Sequence, residues 1–463
     1  MSTKSFYVEP GTFGTKRETI PPNYIRSINY IGLDKKNIYK FIDIGIDQRS
    51  RLEYRKNDIR RPESINEDAP LLLRTRVYLG VKDVFKYVNG VIEFQDSRRN
   101  NGKYPLDDRD VNTQELVQSY VELKFKDILP KDVFGNKTPI SIKYGNMLLE
   151  YLDRRLIAGN LWRNTVGILN GYVAQFGQEK NSFQVDFLYV QPRTRLLDKP
   201  DTTNKNIQYF STIAHIRKWS KFITIEPFYI QLIQDATPAT KNIYRNIKSV
   251  GIRLYGVLNT ANINYEFTYT KQFGEENNTS LGVGKLEQNA FAYTAEIGYT
   301  FQQLKTKPKL SAFYAFVSGD KDSKDNKSNR FERYLGFGRP WSADDYLIME
   351  NIITPKIKFE FEPVKGLKID GGFSQYFLAS NTDRFYSLFN NVSNNRDITG
   401  QSGDYIGQGF DCRGLFKINK FIQANIGYSY FEIGDFIKKR QYIANKISAE
   451  SSNFIYVELN INI

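Results

Sequence analysis

The run VGIRLYGVLNTANINYEFTYT, residues 250–270, reads as two strands and the turn between them. Val250, Ile252 and Leu254 alternate with Gly251, Arg253 and Tyr255. After Asn259 and Thr260 the alternation resumes, with Ile263, Tyr265, Phe267 and Tyr269 set against Asn262, Asn264, Glu266 and Thr268. A period of two puts one set on an oily face and the other on a wet face. The pattern recurs from about Tyr39 to Ile463, in FAYTAEIGYTF from Phe291, IKFEFEP from Ile357, FIQANIGYSYF from Phe421 and FIYVELNINI from Phe454. No long stretch has helical periodicity.

About eighteen such segments can be marked between residues 39 and 463, among them 164–178 and 344–362. An even count is what a single-chain bacterial outer-membrane barrel needs. Short links, such as 83–86, 218–220 and 418–420, alternate with long polar ones, such as 97–110, 318–330 and 380–403. Short turns at one end and long loops at the other describe an up-and-down barrel. A soluble sandwich would mix connection lengths through Greek keys, and a propeller would repeat a blade motif; neither is present. The expectation is an all-β, transmembrane antiparallel barrel over residues 39–463, in the outer membrane of a Gram-negative bacterium. One short-side link, 126–139, is longer than its fellows. Residues 1–38 show no alternation and are expected to be a periplasmic leader or plug segment; MSTKSFYVEP lacks the features of a secretory signal.

Composition narrows the chemistry. Tyr 31, Phe 33 and Trp 3 make 14% of the 463 residues aromatic, against one Cys and one His. The lone Cys412 excludes a disulfide framework and any multi-cysteine metal site within the chain. No apolar run approaches the roughly 18 residues of a membrane-spanning helix. Sixty-five Lys and Arg against 51 Asp and Glu leave a net charge of +14, which favours anionic partners. Neither a basic tail nor zinc-finger spacing occurs, so nucleic acid is not expected.

The wet face carries the charge. Arg49, Arg51, Glu53 and Arg55 share one face of the first strand, and Arg74, Arg76 and Tyr78 one face of the second. Glu93 and Gln95 follow on the third, then Gln118, Tyr120 and Glu122 on the fourth. Planar guanidinium forks bind carboxylate or phosphate bidentately, which suits a polyanion moving from site to site. A ladder that only braces the lumen is the alternative. Two stretches are too long and too apolar for simple loops: YGNMLLEYLDRRLIAGNLWRNT from Tyr144, with Arg154, Arg155, Trp162 and Arg163, and RFERYLGFGRPW from Arg330. A loop folded into the barrel would have this character.

The succession RSRLEYR from Arg49, LLLRTRVYLGV from Leu71, VIEFQDSRR from Val91 and the stretch from Tyr144 resembles the alginate export family of outer-membrane porins. DYIGQGFDCRGLFKINKFIQANIGYSYFEIGDFIKK, from Asp404, is similar to that family's end. One departure is local: Tyr144-Gly145-Asn146 stands where the family commonly has Gly-Arg-Gln. The resemblance implies an eighteen-stranded, arginine-lined conduit for an anionic polysaccharide, an alginate-like polyuronate. It implies Arg49, Arg51, Arg74, Arg76, Arg154, Arg155, Arg163 and Arg413 in the anion path, with Glu93 and Asp153 as counter-charges. Partners would be the polysaccharide or small anionic solutes, outer-membrane lipid and periplasmic export components, with no cofactor. A general anion-preferring diffusion porin is the alternative. A barrel enzyme is not expected: the single His215 lies near a short turn, no Gly-x-Ser-x-Gly elbow occurs, and no catalytic residue suggests itself. The Asp-rich run from Gly319 lacks EF-hand spacing, so no metal site is expected.

Overall fold

The computed structural model describes residues 24–27, 41–60, 66–220, 222–277, 284–322, 324–336, 338–385, 395–445 and 450–463. Eighteen long strands form one closed antiparallel barrel. In chain order they are β1 Ile42–Lys56, β2 Leu71–Val84, β3 Val88–Asn100, β4 Asn112–Phe125, β5 Ile140–Met147 and β6 Leu169–Phe176. Then come β7 Phe183–Thr194, β8 Ile207–Ile216, β9 Thr224–Gln234, β10 Arg245–Leu258, β11 Ile263–Glu276 and β12 Leu286–Thr300. The last six are β13 Lys309–Val317, β14 Ile352–Val364, β15 Leu367–Phe377, β16 Tyr405–Lys417, β17 Ile422–Ile433 and β18 Ser452–Asn462. Each strand pairs with its sequence neighbours. The seam closes where β18 meets β1, from Asp47 opposite Asn462 to Lys56 opposite Asn453. Closure leaves no unpaired edge, which lipid would not tolerate.

Period-two alternation becomes two faces. Phe267, Ile297, Tyr299, Ile426 and Tyr428 are exposed outward, while Arg253, Glu266, Glu296 and Asn425 are buried inside. Both termini of the barrel and the short turns share one end, the periplasmic end of such a fold, and the long loops share the other. Of the expected leader, residues 24–27 are described and the rest of 1–38 lies outside the described residues. Arg26–Ser27 extends the sheet by pairing with β1, Arg26 opposite Ile44 and Ser27 opposite Asp43.

Two segment boundaries differ from the expectation. β6 begins at Leu169 and not at 164, and β14 at Ile352 and not at 344. The residues before them belong to the links 148–168 and 318–351, which fold into the barrel. An eleven-residue helix, α1 Asp435–Asn445, stands in the β17–β18 link, where no helical period was visible.

A uniformly wet lumen is also overturned. Phe228, Ile230, Leu232, Ile247, Ala290, Ala292, Phe313 and Ala315 point inward from β9 to β13 and are buried. They form one apolar cluster with Leu152 and Leu156 of the first inserted loop and Phe331, Trp341, Tyr346 and Leu347 of the second. The molecule's largest hydrophobic core is therefore inside the barrel, where two loops remove a half-wall of apolar side chains from water.

Candidate functional site

The wall of β1 to β3 meets the first inserted loop with charge. Arg49 donates from Nη1 to the carbonyls of Leu161 and Trp162, both at 3.1 Å, and from Nη2 to that of Arg163 at 2.7 Å. Arg51 Nη1 donates to the Trp162 carbonyl at 2.7 Å, and Arg74 Nη1 to that of Leu161 at 3.0 Å. Three arginines thus converge on three consecutive peptide carbonyls. Hydrogen bonds from a charged donor contribute about 1.5–3 kcal/mol each, so this is a strong clamp. Asn164 completes it: its side-chain amide donates to the carbonyls of Leu73, Arg98 and Asp110 at 2.8–3.1 Å.

Carboxylates share the remaining charge. Glu458 lies 3.3 Å from Arg51 and 3.8 Å from Arg49, Asp47 lies 3.4 Å from Arg74, and Glu93 lies 2.8 Å from Arg76. Tyr24 donates its hydroxyl to Glu93 and sets its ring under the Arg76 guanidinium, 5.4 Å away. A bulge in the β3–β4 ladder after Glu93 turns both Val117 and Gln118 inward. Val117 then packs with Leu148, Leu161 and Val166 of the inserted loop, and Gln118 reaches Glu93.

The two inserted loops hold each other. Ile157 bridges to Leu335, Leu335 N donates to the Leu156 carbonyl at 3.0 Å, and Arg163 pairs with Asp345 at 3.1 Å. The second loop has its own wall cation: Lys356 of β14 donates to the carbonyls of Pro340, at 3.2 Å, and Trp341. Where the loops meet the seam, the Trp162 ring meets two guanidinium groups. Arg51 is 4.2 Å from its centroid and Arg339 is 3.6 Å away, while Tyr456 packs edge-on at 4.8 Å.

Recesses lie on both sides of that stack. Toward the long loops, one is lined by Arg55, Arg60, Arg109 and Arg163 with Asp58 and Asp345. There burial alone would raise the Asp58 carboxyl, but the Arg60 fork, 2.5 Å away, holds it down at about 2. Toward the short turns, the second is lined by Lys309, Lys358 and Arg413 with Asp370, Phe454 and Tyr456.

The expected path residues are thus placed in several groups. Arg49, Arg51 and Arg74 meet at the loop clamp, and Arg76 pairs lower on the wall with Glu93. Asp153 and Arg155 pair with each other at 2.8 Å, with Arg155 over the Phe313 ring at 4.8 Å. Arg154 is buried, with left-handed backbone at φ 66°. Arg163 ties the loops together, and Arg413 is bound by Asp370 of the neighbouring strand, 3.1 Å from its Nε. Sequence reasoning did not single out Arg339, Lys309, Lys356 or Lys358. The inward phase of IKFEFEP already pointed at Lys358 and, carried one residue back, at Lys356, and Arg339 lies inside the second inserted stretch. At the departure, residues 144–146, Gly145 stands at φ 137°, and a Cβ there would be 2.1 Å from the Ser119 carbonyl oxygen.

His215 faces the lumen between two carboxylates, Nδ1 2.7 Å from Glu226 and Nε2 3.1 Å from Asp186. Arg253 continues the chain to Glu226 at 3.0 Å and Glu266 at 2.7 Å. This is a cross-strand charge ladder, whose members sequence reasoning could not locate.

The sequence profile of the family described as alginate export matches residues 40–447. The chain belongs to the alginate export family. As a family member it is an outer-membrane channel and not an enzyme. Solved porins share its fold at low identity. OccAB1 of Acinetobacter baumannii aligns with a TM-score of 0.58 at 10% identity, covering 91% of this chain and 96% of that one. A BenF-like porin from Pseudomonas fluorescens Pf-5 gives 0.56 at 10% identity, covering 91% and 99%. OccK2 (OpdF) of Pseudomonas aeruginosa, solved in complex with glucuronate, gives 0.55 at 9% identity, covering 91% and 98%.

Proposed function

We propose that this family member conducts anionic saccharides of the uronate class across the outer membrane of a Gram-negative cell. The path would run past the Arg51–Trp162–Arg339 stack from one cation-rich recess to the other. The observation that carries this reading is the pair of recesses, one walled by Arg55, Arg60, Arg109 and Arg163, the other by Lys309, Lys358 and Arg413, with Trp162 between them. Spaced cations, most of them balanced by a carboxylate, let an anion exchange partners without being trapped, which is what conduction requires. In this reading Arg49, Arg51, Arg74 and Asn164 position the constriction, and Arg163, Arg339 and Arg413 touch the passing carboxylates.

A second reading is passage of small anionic solutes in place of polymer. The loops that fold into the lumen favour it, since they narrow the way for a polymer, and so does the glucuronate held by the fold neighbour OccK2. Planar-bilayer recording separates the two. Anion-selective current blocked by micromolar polyuronate supports the polymer, whereas block by glucuronate alone supports the small solute. Cation selectivity would sink both.

A further inference from the structure

We propose that the recess on the short-turn side of the stack is a binding site for one sugar-acid unit, with the Lys309 ammonium as its carboxylate receptor. This rests on the reading of the channel as a conduit for uronates and names the place where the chain holds one. Lys309 opens β13 directly after a short turn, and only 6% of it is exposed. Its acidic neighbours are each shared with another lysine. Glu360, opposite it in register, is paired with Lys368 at 2.8 Å, and Glu296 is paired with Lys358 at 2.6 Å. Among the described residues the Lys309 Nζ has no hydrogen-bond partner. A buried ammonium with its donors unmet is costly, and a ligand carboxylate supplies what is missing.

The rest of the recess fits the rest of such a sugar. Tyr456 and Phe454 line one side as stacked rings 5.5 Å apart, a surface for the C–H face of a pyranose. Asp370, although bound by Arg413, keeps acceptor capacity for hydroxyl groups. Arg339 and Ala343 of the second inserted loop form the other boundary, so a unit seated here lies against the residue that stacks on Trp162.

The test is calorimetric titration of the purified full chain in detergent with sodium glucuronate at low salt, with glucose as the neutral control. Wild type should bind glucuronate and not glucose. Lys309→Met should weaken glucuronate binding at least tenfold, and Lys309→Arg should recover most of it. Heat-modifiable migration on gels reports whether each variant is a folded barrel, and Lys309→Gln replaces the Met variant if that one does not assemble. Equal affinity in wild type and the folded Lys309 variants, or equal binding of glucose, overturns the site. Bilayer recording keeps the two proposals apart. Polyuronate block with glucuronate binding indifferent to Lys309 sinks the recess alone. Lys309-dependent glucuronate binding without anion-selective current sinks the conduit alone.

Discussion

The Arg339 guanidinium stacks 3.6 Å from the centre of the Trp162 ring, and the two residues come from different inserted loops. With Arg51 also over the ring, at 4.2 Å, one indole joins both loops to the first barrel strand. Each such contact contributes about 0.5–2 kcal/mol. Trp162→Ala should therefore loosen the loop junction while the barrel still assembles. Single-channel conductance in a planar bilayer should rise, by roughly twofold or more. Unchanged conductance would place the stack off the path.

A second prediction concerns the clamp. Replacing Arg49 and Arg74 together by Met leaves the carbonyls of Leu161 and Arg163 without most of their charged donors. Losing a charged partner from a buried polar group costs about 1–3 kcal/mol or more per group. The channel should flicker between conductance levels, and residues 148–168 should become sensitive to added protease. Quiet, wild-type current from the folded double variant would mean that the loop is held by its apolar face alone.

The outer phase of the strands gives a third. Ile426 is 58% exposed on the lipid side, and its neighbour Asn425 is 4% exposed, donating to Glu458 at 2.7 Å inside. Arginine on the lipid face costs about 2–4 kcal/mol near the midplane. Ile426→Arg should reduce the heat-modifiable, membrane-inserted fraction several-fold, whereas Asn425→Arg, placed beside Glu458, should assemble normally. Equal yields would overturn the phase.

That phase was readable because lipid enforces alternation on every strand, so residues as far apart as Phe267 and Ile426 were assigned correctly from period two. The inward arginines were legible for the same reason, since a guanidinium facing lipid is untenable. What they touch was not legible. Arg49 and Arg74 spend their donors on peptide carbonyls, and a carbonyl leaves no mark in a sequence. Along β9, Tyr229 and Ile233 face out while Phe228, Ile230 and Leu232 face in, so both faces are apolar; only the inserted loops explain the inner one. The segments begun at 164 and 344 ran too long because the loops before β6 and β14 are as apolar as strands. Nothing in DFIKKRQYIAN, with its charges crowded at Lys438, Lys439 and Arg440, offered an apolar stripe for the helix Asp435–Asn445.

The last prediction is a pH dependence in the long loops. Among the described residues the countercharge of Asp320 is Arg396 at 3.7 Å, and its peptide N–H donates to the Asp383 carboxylate at 2.8 Å. Burial, reinforced by Asp383, pushes the Asp320 carboxyl up to about 6. A folded-state value above the unfolded one means that the folded loops bind the proton more tightly, so this contact weakens as pH rises from about 4 through 6. Limited proteolysis near Lys321 should be slower at pH 5 than at pH 7.5, and Asp320→Asn should remove most of the difference. A variant as pH-sensitive as wild type would assign the effect to another group.

The seam has a consequence for how the molecule is made. Arg51 lies on the first strand and Tyr456 on the last, and both pack against Trp162 from inside. The final zipping of the cylinder therefore takes place around an object already standing in its throat. A nascent sheet that curls shut before residues 148–168 have turned inward would find its closing strands without their inner staple, and the wall arginines without their carbonyls. Shutting the wall and seating its contents become one event, so errors in the loops should appear first as barrels that fail to close.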